Sequence, residues 1–109
     1  MAFDEGLAQR LREELAGTGG VAEKRMFGGL SFLVDGNMCV GVIGDELIVR
    51  VGLDATEAAL ERPGSRLFDF SGRPMKGWIT VEPAALEDDE ALAGWVGSAL
   101  AFVRTLPPK

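Results

Sequence analysis

Apolar residues recur along this chain first at helical and then at strand spacing. Phe3, Leu7, Leu11 and Leu15 stand four apart, with Ala8 beside them and charges opposite, which predicts an amphipathic helix. Asp4 is placed to accept from the unpaired N–H groups of its first turn, and Gly17 with Gly19-Gly20 ends it. From Val21 the period falls to two, so residues 30–34, 37–43 and 46–51 read as strands, with 21–27 as an earlier one. Asp35-Gly36 and Gly44-Asp45 lie between them and suit two-residue hairpin turns, because glycine and aspartate tolerate the positive φ such turns require.

Asp54 followed by Glu57 resembles a capping box and opens a short helix over 55–60, stopped by Pro63-Gly64. Residues 66–70 form a short strand, Gly72-Arg73-Pro74 a turn, and 76–81 the last strand. Glu87, Asp88, Asp89 and Glu90 suit the electropositive start of a helix. Leu92, Trp95, Val96, Ala99, Leu100, Val103 and Leu106 carry its apolar stripe as far as Pro107-Pro108. The fold class is therefore α+β: a two-layer, antiparallel sheet of about five strands with helices on one face. The order is helix, three or four strands, helix, one or two strands, helix, in one domain over residues 1–109.

With two-residue turns, Val34 lies opposite Asn37 and Ile43 opposite Glu46. One sheet face then carries Leu33, Met38, Val40, Val42, Leu47, Val49 and Val51, an unbroken core. The other carries Leu30, Phe32, Val34, Asn37, Cys39, Gly41, Ile43, Glu46, Ile48 and Arg50. That face is too apolar for open water, so either a terminal segment or another subunit covers it. Leu30, Phe32, Val34, Ile43 and Ile48 are accordingly the expected interface residues, of a homodimer or with another protein.

Composition narrows the chemistry. The chain has one cysteine, no histidine and no tyrosine. It therefore lacks the commonest general base and metal ligand, and any Ser-His-Asp or Cys-His arrangement. No metal, cofactor or catalytic residue is expected. Cys39 falls mid-strand opposite Arg50, whose charge would lower its pKa, but a buried structural thiol is the commoner role. The net charge is −6; residues 1–20 carry four acids and two bases, 21–82 nine and seven, and 83–109 four and two. None of these three divisions is net positive, which argues against direct sequence-specific DNA binding. No apolar run approaches the ~20 residues of a membrane span. The acidic N-terminus is unlike an export signal, so a cytoplasmic setting is expected.

Two basic, glycine-flanked segments stand out from this acidic background: Lys24-Arg25-Met26-Phe27-Gly28-Gly29 and Gly72-Arg73-Pro74-Met75-Lys76-Gly77-Trp78. In the first, the glycine turn and Arg25 offer donors to an anion or peptide; alternatively it is a bent strand with Phe27 and Met26 in the core. In the second, Arg73, Lys76 and the Trp78 ring form a surface suited to a carboxylate or a partner's aromatic, or else a structural turn. The candidate binding residues are Arg25, Phe27, Gly28, Gly29, Arg50, Arg73, Lys76 and Trp78. No phosphate-binding glycine loop is present.

These two segments, with Met38-Cys39-Val40-Gly41 and Leu47-Ile48-Val49-Arg50-Val51-Gly52, resemble the N-terminal domain of the TfoX/Sxy family, from Asp4 to Pro108. The resemblance implies an antiparallel α+β fold with helices on one side. It also implies regulation of competence genes, as a coactivator working with a transcription factor. Regulators of that family carry a second domain, so a stand-alone domain is expected here. The leading expectation is a noncatalytic interaction module; the alternative is a small-molecule or anion-binding domain using the Arg25, Arg73 and Lys76 segments. An enzyme using Cys39 is third.

Overall fold

The computed structural model describes residues 3–26, 28–70 and 72–109. Helix α1 (Glu5–Glu14) starts where Asp4 Oδ1 accepts from Gly6 N at 2.8 Å and Leu7 N at 3.2 Å. Strands β1 (Val21–Met26), β2 (Gly29–Val34), β3 (Asn37–Ile43) and β4 (Glu46–Arg50) follow as an antiparallel meander. Then come α2 (Thr56–Leu60), β5 (Ser65–Phe70), β6 (Arg73–Val81), a 3₁₀ turn (Pro83–Leu86) and α3 (Asp89–Val103). The six strands form one sheet in the order β1-β2-β3-β4-β6-β5. Its edge strand β1 presents Glu23, Lys24 and Arg25 to solvent, which discourages edge-to-edge pairing with other chains.

The helices share one side of the sheet. Leu7 and Leu11 of α1 and Leu92, Trp95 and Val96 of α3 pack into one core with Val40, Val42, Leu47, Val49, Ile79 and Val81. Both predicted two-residue turns are present, since Val34 pairs with Asn37 and Ile43 with Glu46. Asp35 and Gly36 have φ of 52° and 85°, the left-handed pair such a turn needs.

One irregularity overturns the expected division of faces. Leu33 pairs with Met38, but Phe32 pairs with Val40, so Cys39 is an extra residue in β3. A bulge of this kind puts two successive side chains on one side of the sheet. Leu30, Phe32, Val34 and Cys39 therefore join Val40 and Val42 in the helix-covered core, and Phe32 is only 1% exposed. Met38 moves the other way, to the far face with Ile43 and Ile48. That far face needs no second subunit to bury it. Met38, Ile48 and Phe68 form a small cluster closed by the flanking Met26, Ile43, Met75 and Trp78, and Ile48 is 2% exposed. Of the expected interface residues only Ile43 remains half-buried; the rest are interior.

Three smaller corrections follow from local chemistry. Asp54 does not cap α2: the N-cap position is Ala55, without a side-chain bond, while Thr56 Oγ1 donates to Gly52 O at 2.8 Å. Strand β6 begins at Arg73, so Pro74 lies within it, paired with Asp69. Pairing between β4 and β6 ends at Arg50 and Trp78, so the N–H that Pro74 lacks faces no β4 partner. Helix α3 ends at Val103 rather than reaching Leu106, and Pro107 O accepts from the buried Asn37 Nδ2 at 3.0 Å. Among the described residues no helix is long and apolar enough to cross a membrane.

Candidate functional site

The two basic segments are hairpin turns. Between β1 and β2, Gly28 has φ 75°, and Gly29 passes so close to β3 that a Cβ there would run into the Val42 carbonyl. Glycine is thus required at Gly29 by the approach of two backbones, not by a ligand. Arg25 is exposed, with its Cζ 5.6 Å from the centroid of the Phe3 ring. Phe27 lies outside the described residues. Between β5 and β6, Gly72 has φ 78°, and Arg73 and Lys76 are exposed. Among the described residues none of Arg25, Arg73 and Lys76 forms an ion pair. Strands β1 and β5 are opposite edges of the sheet and run in opposite directions. The strand order therefore puts the two turns at opposite edges and opposite ends, and Arg25 is set apart from Arg73 and Lys76.

Arg50 and Trp78, in contrast, are brought together. They are cross-strand partners, and the Arg50 Cζ lies 5.0 Å from the Trp78 ring centroid. The same guanidinium is 5.4 Å from the Phe102 ring of α3, and its Nη1 donates to Met38 O at 3.4 Å. Sequence reasoning missed Phe102. The available signal was an aromatic residue outside the apolar stripe of its own helix.

Cys39 is fully buried, and that burial pushes its pKa up to about 12, against the opposing pull of Arg104 and Arg50. The expected lowering by Arg50 is thus reversed, because desolvation of a thiolate outweighs two distant cations. At neutral pH the sulfur is a protonated thiol, a poor nucleophile.

The apolar surface lies elsewhere. Leu53, on the loop between β4 and α2, is 71% exposed. It rims a groove of about 650 Å³ between that loop and α3, lined also by Val51, Gly52, Asp54, Ser98, Ala101 and Phe102. That volume falls within the roughly 300–1,000 Å³ range of ligand sites. A smaller recess of about 130 Å³ shares Val51, Ala55 and Ser98 with it and reaches Arg62. Arg62 lies flat on α3, its Cζ 3.5 Å from the Trp95 ring centroid and its Nη1 donating to Ser98 Oγ at 3.1 Å. Partial burial holds its pKa below the usual arginine value. Neither Arg50 nor Arg62 forms an ion pair among the described residues.

Compared with known proteins, the chain matches the family model of the TfoX N-terminal domain over residues 13–103, which runs from the end of α1 to the end of α3. No curated protein matches it, and no solved structure does.

Proposed function

We infer, from the fact that this chain belongs to the TfoX N-terminal domain family, that it is a noncatalytic regulatory domain acting through a protein partner. The partner is a transcription factor, which the domain assists as a coactivator in the manner of the competence regulators, in the cytoplasm. The observation that carries this reading is the match over residues 13–103, which takes in every strand of the sheet and α3.

Physical chemistry supports it at three points. The cysteine is protonated and out of reach of a substrate, in a chain with no histidine to activate it. A net charge of −6 opposes a polyanion, so contact with DNA runs through the partner. Arg73 and Lys76 are both exposed and form no ion pair among the described residues, so each is free to meet an acidic group on a protein surface.

Affinity capture from the cell's own extract tests this, with Arg73→Glu/Lys76→Glu as the control bait. The expected result is a transcription factor held by the wild type and lost with the variant. Recovery of no regulator, or of the same regulator by both baits, rejects the reading. The alternative is anion or small-molecule binding at the Arg25, Arg73 and Lys76 segments. It is favoured by their lack of ion-pair partners among the described residues, but the separation of the turns makes it two sites rather than one. A thermal shift with inorganic phosphate that is lost in Arg73→Glu would favour it.

A further inference from the structure

We propose that a second copy of this chain docks on the groove between the β4–α2 loop and α3, with Leu53 of each copy entering the groove of the other. The proposal deepens the interaction reading above by naming one partner and its seat.

The groove specifies its occupant by shape and charge. Its lining is mostly apolar, with Val51, Gly52, Ala101 and Phe102 around an open trough. A cation touches each of two lining residues: Arg50 stacks near Phe102 and Arg62 donates to Ser98. Both guanidinium groups lack an ion-pair partner among the described residues. An apolar side chain followed by a carboxylate is what such a site accommodates. The chain carries that combination on the rim itself, where Leu53, 71% exposed, precedes Asp54, which is also exposed. Asp54 makes no ion pair within its own chain among the described residues.

A surface that contains both the protrusion and its receptor is self-complementary, the condition for a two-fold contact. Each Leu53 then leaves water, and each Asp54 comes beside the other copy's cations. Among the described side chains of the far sheet face, by comparison, Met38, Ile48 and Phe68 are closed over by Met26, Ile43, Met75 and Trp78, and none is exposed as Leu53 is.

Sedimentation equilibrium of the full chain over a concentration series tests this, on wild type, Leu53→Glu and Ala101→Glu. Both positions are exposed, so neither change disturbs the core. The wild type is expected to dimerise, and each variant to raise the dimer dissociation constant at least tenfold, with an unfolding midpoint equal to that of wild type at concentrations where both are monomeric. Amide NMR signals of the wild type at residues 51–55 and 98–102 are expected to move with concentration, which needs no variant at all. A wild type monomeric at millimolar concentration overturns the proposal, as does a dimer indifferent to either variant or one whose moving signals lie elsewhere. A monomeric wild type leaves the capture experiment with Arg73→Glu/Lys76→Glu unaffected, so the two readings fail separately.

Discussion

Thr56 Oγ1 accepts the backbone N–H of Gly77 at 2.9 Å while donating to Gly52 O at 2.8 Å. Gly77 O in turn accepts from Val51 N at 2.9 Å and Gly52 N at 3.1 Å. One buried hydroxyl thus ties the start of α2 to the irregular part of β6, where Leu67 pairs with Ile79 but Phe68 with Met75. Gly77 has φ 90° there, a conformation that favours glycine. The brace holds Trp78 opposite Arg50.

Thr56→Val keeps the shape of the side chain and removes the hydroxyl. It leaves the buried Gly77 N–H without its partner, which costs about 1–3 kcal/mol. Urea denaturation measures this; a variant as stable as wild type would show that the brace is dispensable.

Phe32 and Leu53 are expected to behave oppositely when made polar. Phe32 is interior, so Phe32→Ala costs about 3–5 kcal/mol and Phe32→Glu abolishes the folded state. Leu53→Glu changes an exposed loop residue and, at dilutions where wild type is monomeric, leaves thermal unfolding within a degree or two of it by circular dichroism. A folded Phe32→Glu protein would contradict the bulge at Cys39.

The Cys39 thiol gives a pH dependence with a definite sign. Its pKa is about 12 in the folded chain against an ordinary thiol value of 9.0, so between those values the unfolded chain binds fewer protons than the native one. Stability is undiminished below pH 9 and falls as pH rises towards 12, by up to about 1.4 kcal/mol per unit. Cys39→Ala is expected to flatten that slope relative to wild type in urea titrations at pH 9–11. Labelling of wild-type Cys39 by a disulfide reagent at pH 7.5 should be no faster than unfolding.

Arg12 and Glu23 link α1 to β1 through two hydrogen bonds, Nε to Oε2 at 2.7 Å and Nη2 to Oε1 at 3.0 Å. The bond from Arg12 holds the Glu23 carboxyl below its usual pKa, so the pair's small contribution is present above the ordinary glutamate range and fades as pH falls through the folded value. Arg12→Ala should move the Glu23 titration upward in side-chain carbon NMR. No movement would mean that the pair is not formed in solution.

Much of this architecture is legible in the residue pattern because its signals are local. Asp4 and Asp88 cap helices, Asp35-Gly36 turns a hairpin, and the period of the apolar residues separates helix from strand. The family words were legible as well, since the glycines in them answer to backbone geometry: Gly28 and Gly72 to turns, Gly29 to the Val42 carbonyl, Gly77 to the brace on Thr56. Convergence of the cations was not, because it depends on strand order, which sends Arg25 and Arg73 to different edges.

The sequence by itself determined the elements, their order, the antiparallel meander and the likeness to a family. Only the tertiary structure decided which side chains face which way. A bulge needs no glycine and no special word: with Cys39 as the extra residue, Leu30, Phe32 and Val34 all face the helices. Periodicity of two cannot register an added residue in one strand of a pair, so it assigned β2 and the start of β3 to the wrong faces. Likewise a lone Leu53 in a loop carries no periodic signal, and its exposure beside Phe102 depends on where α3 packs.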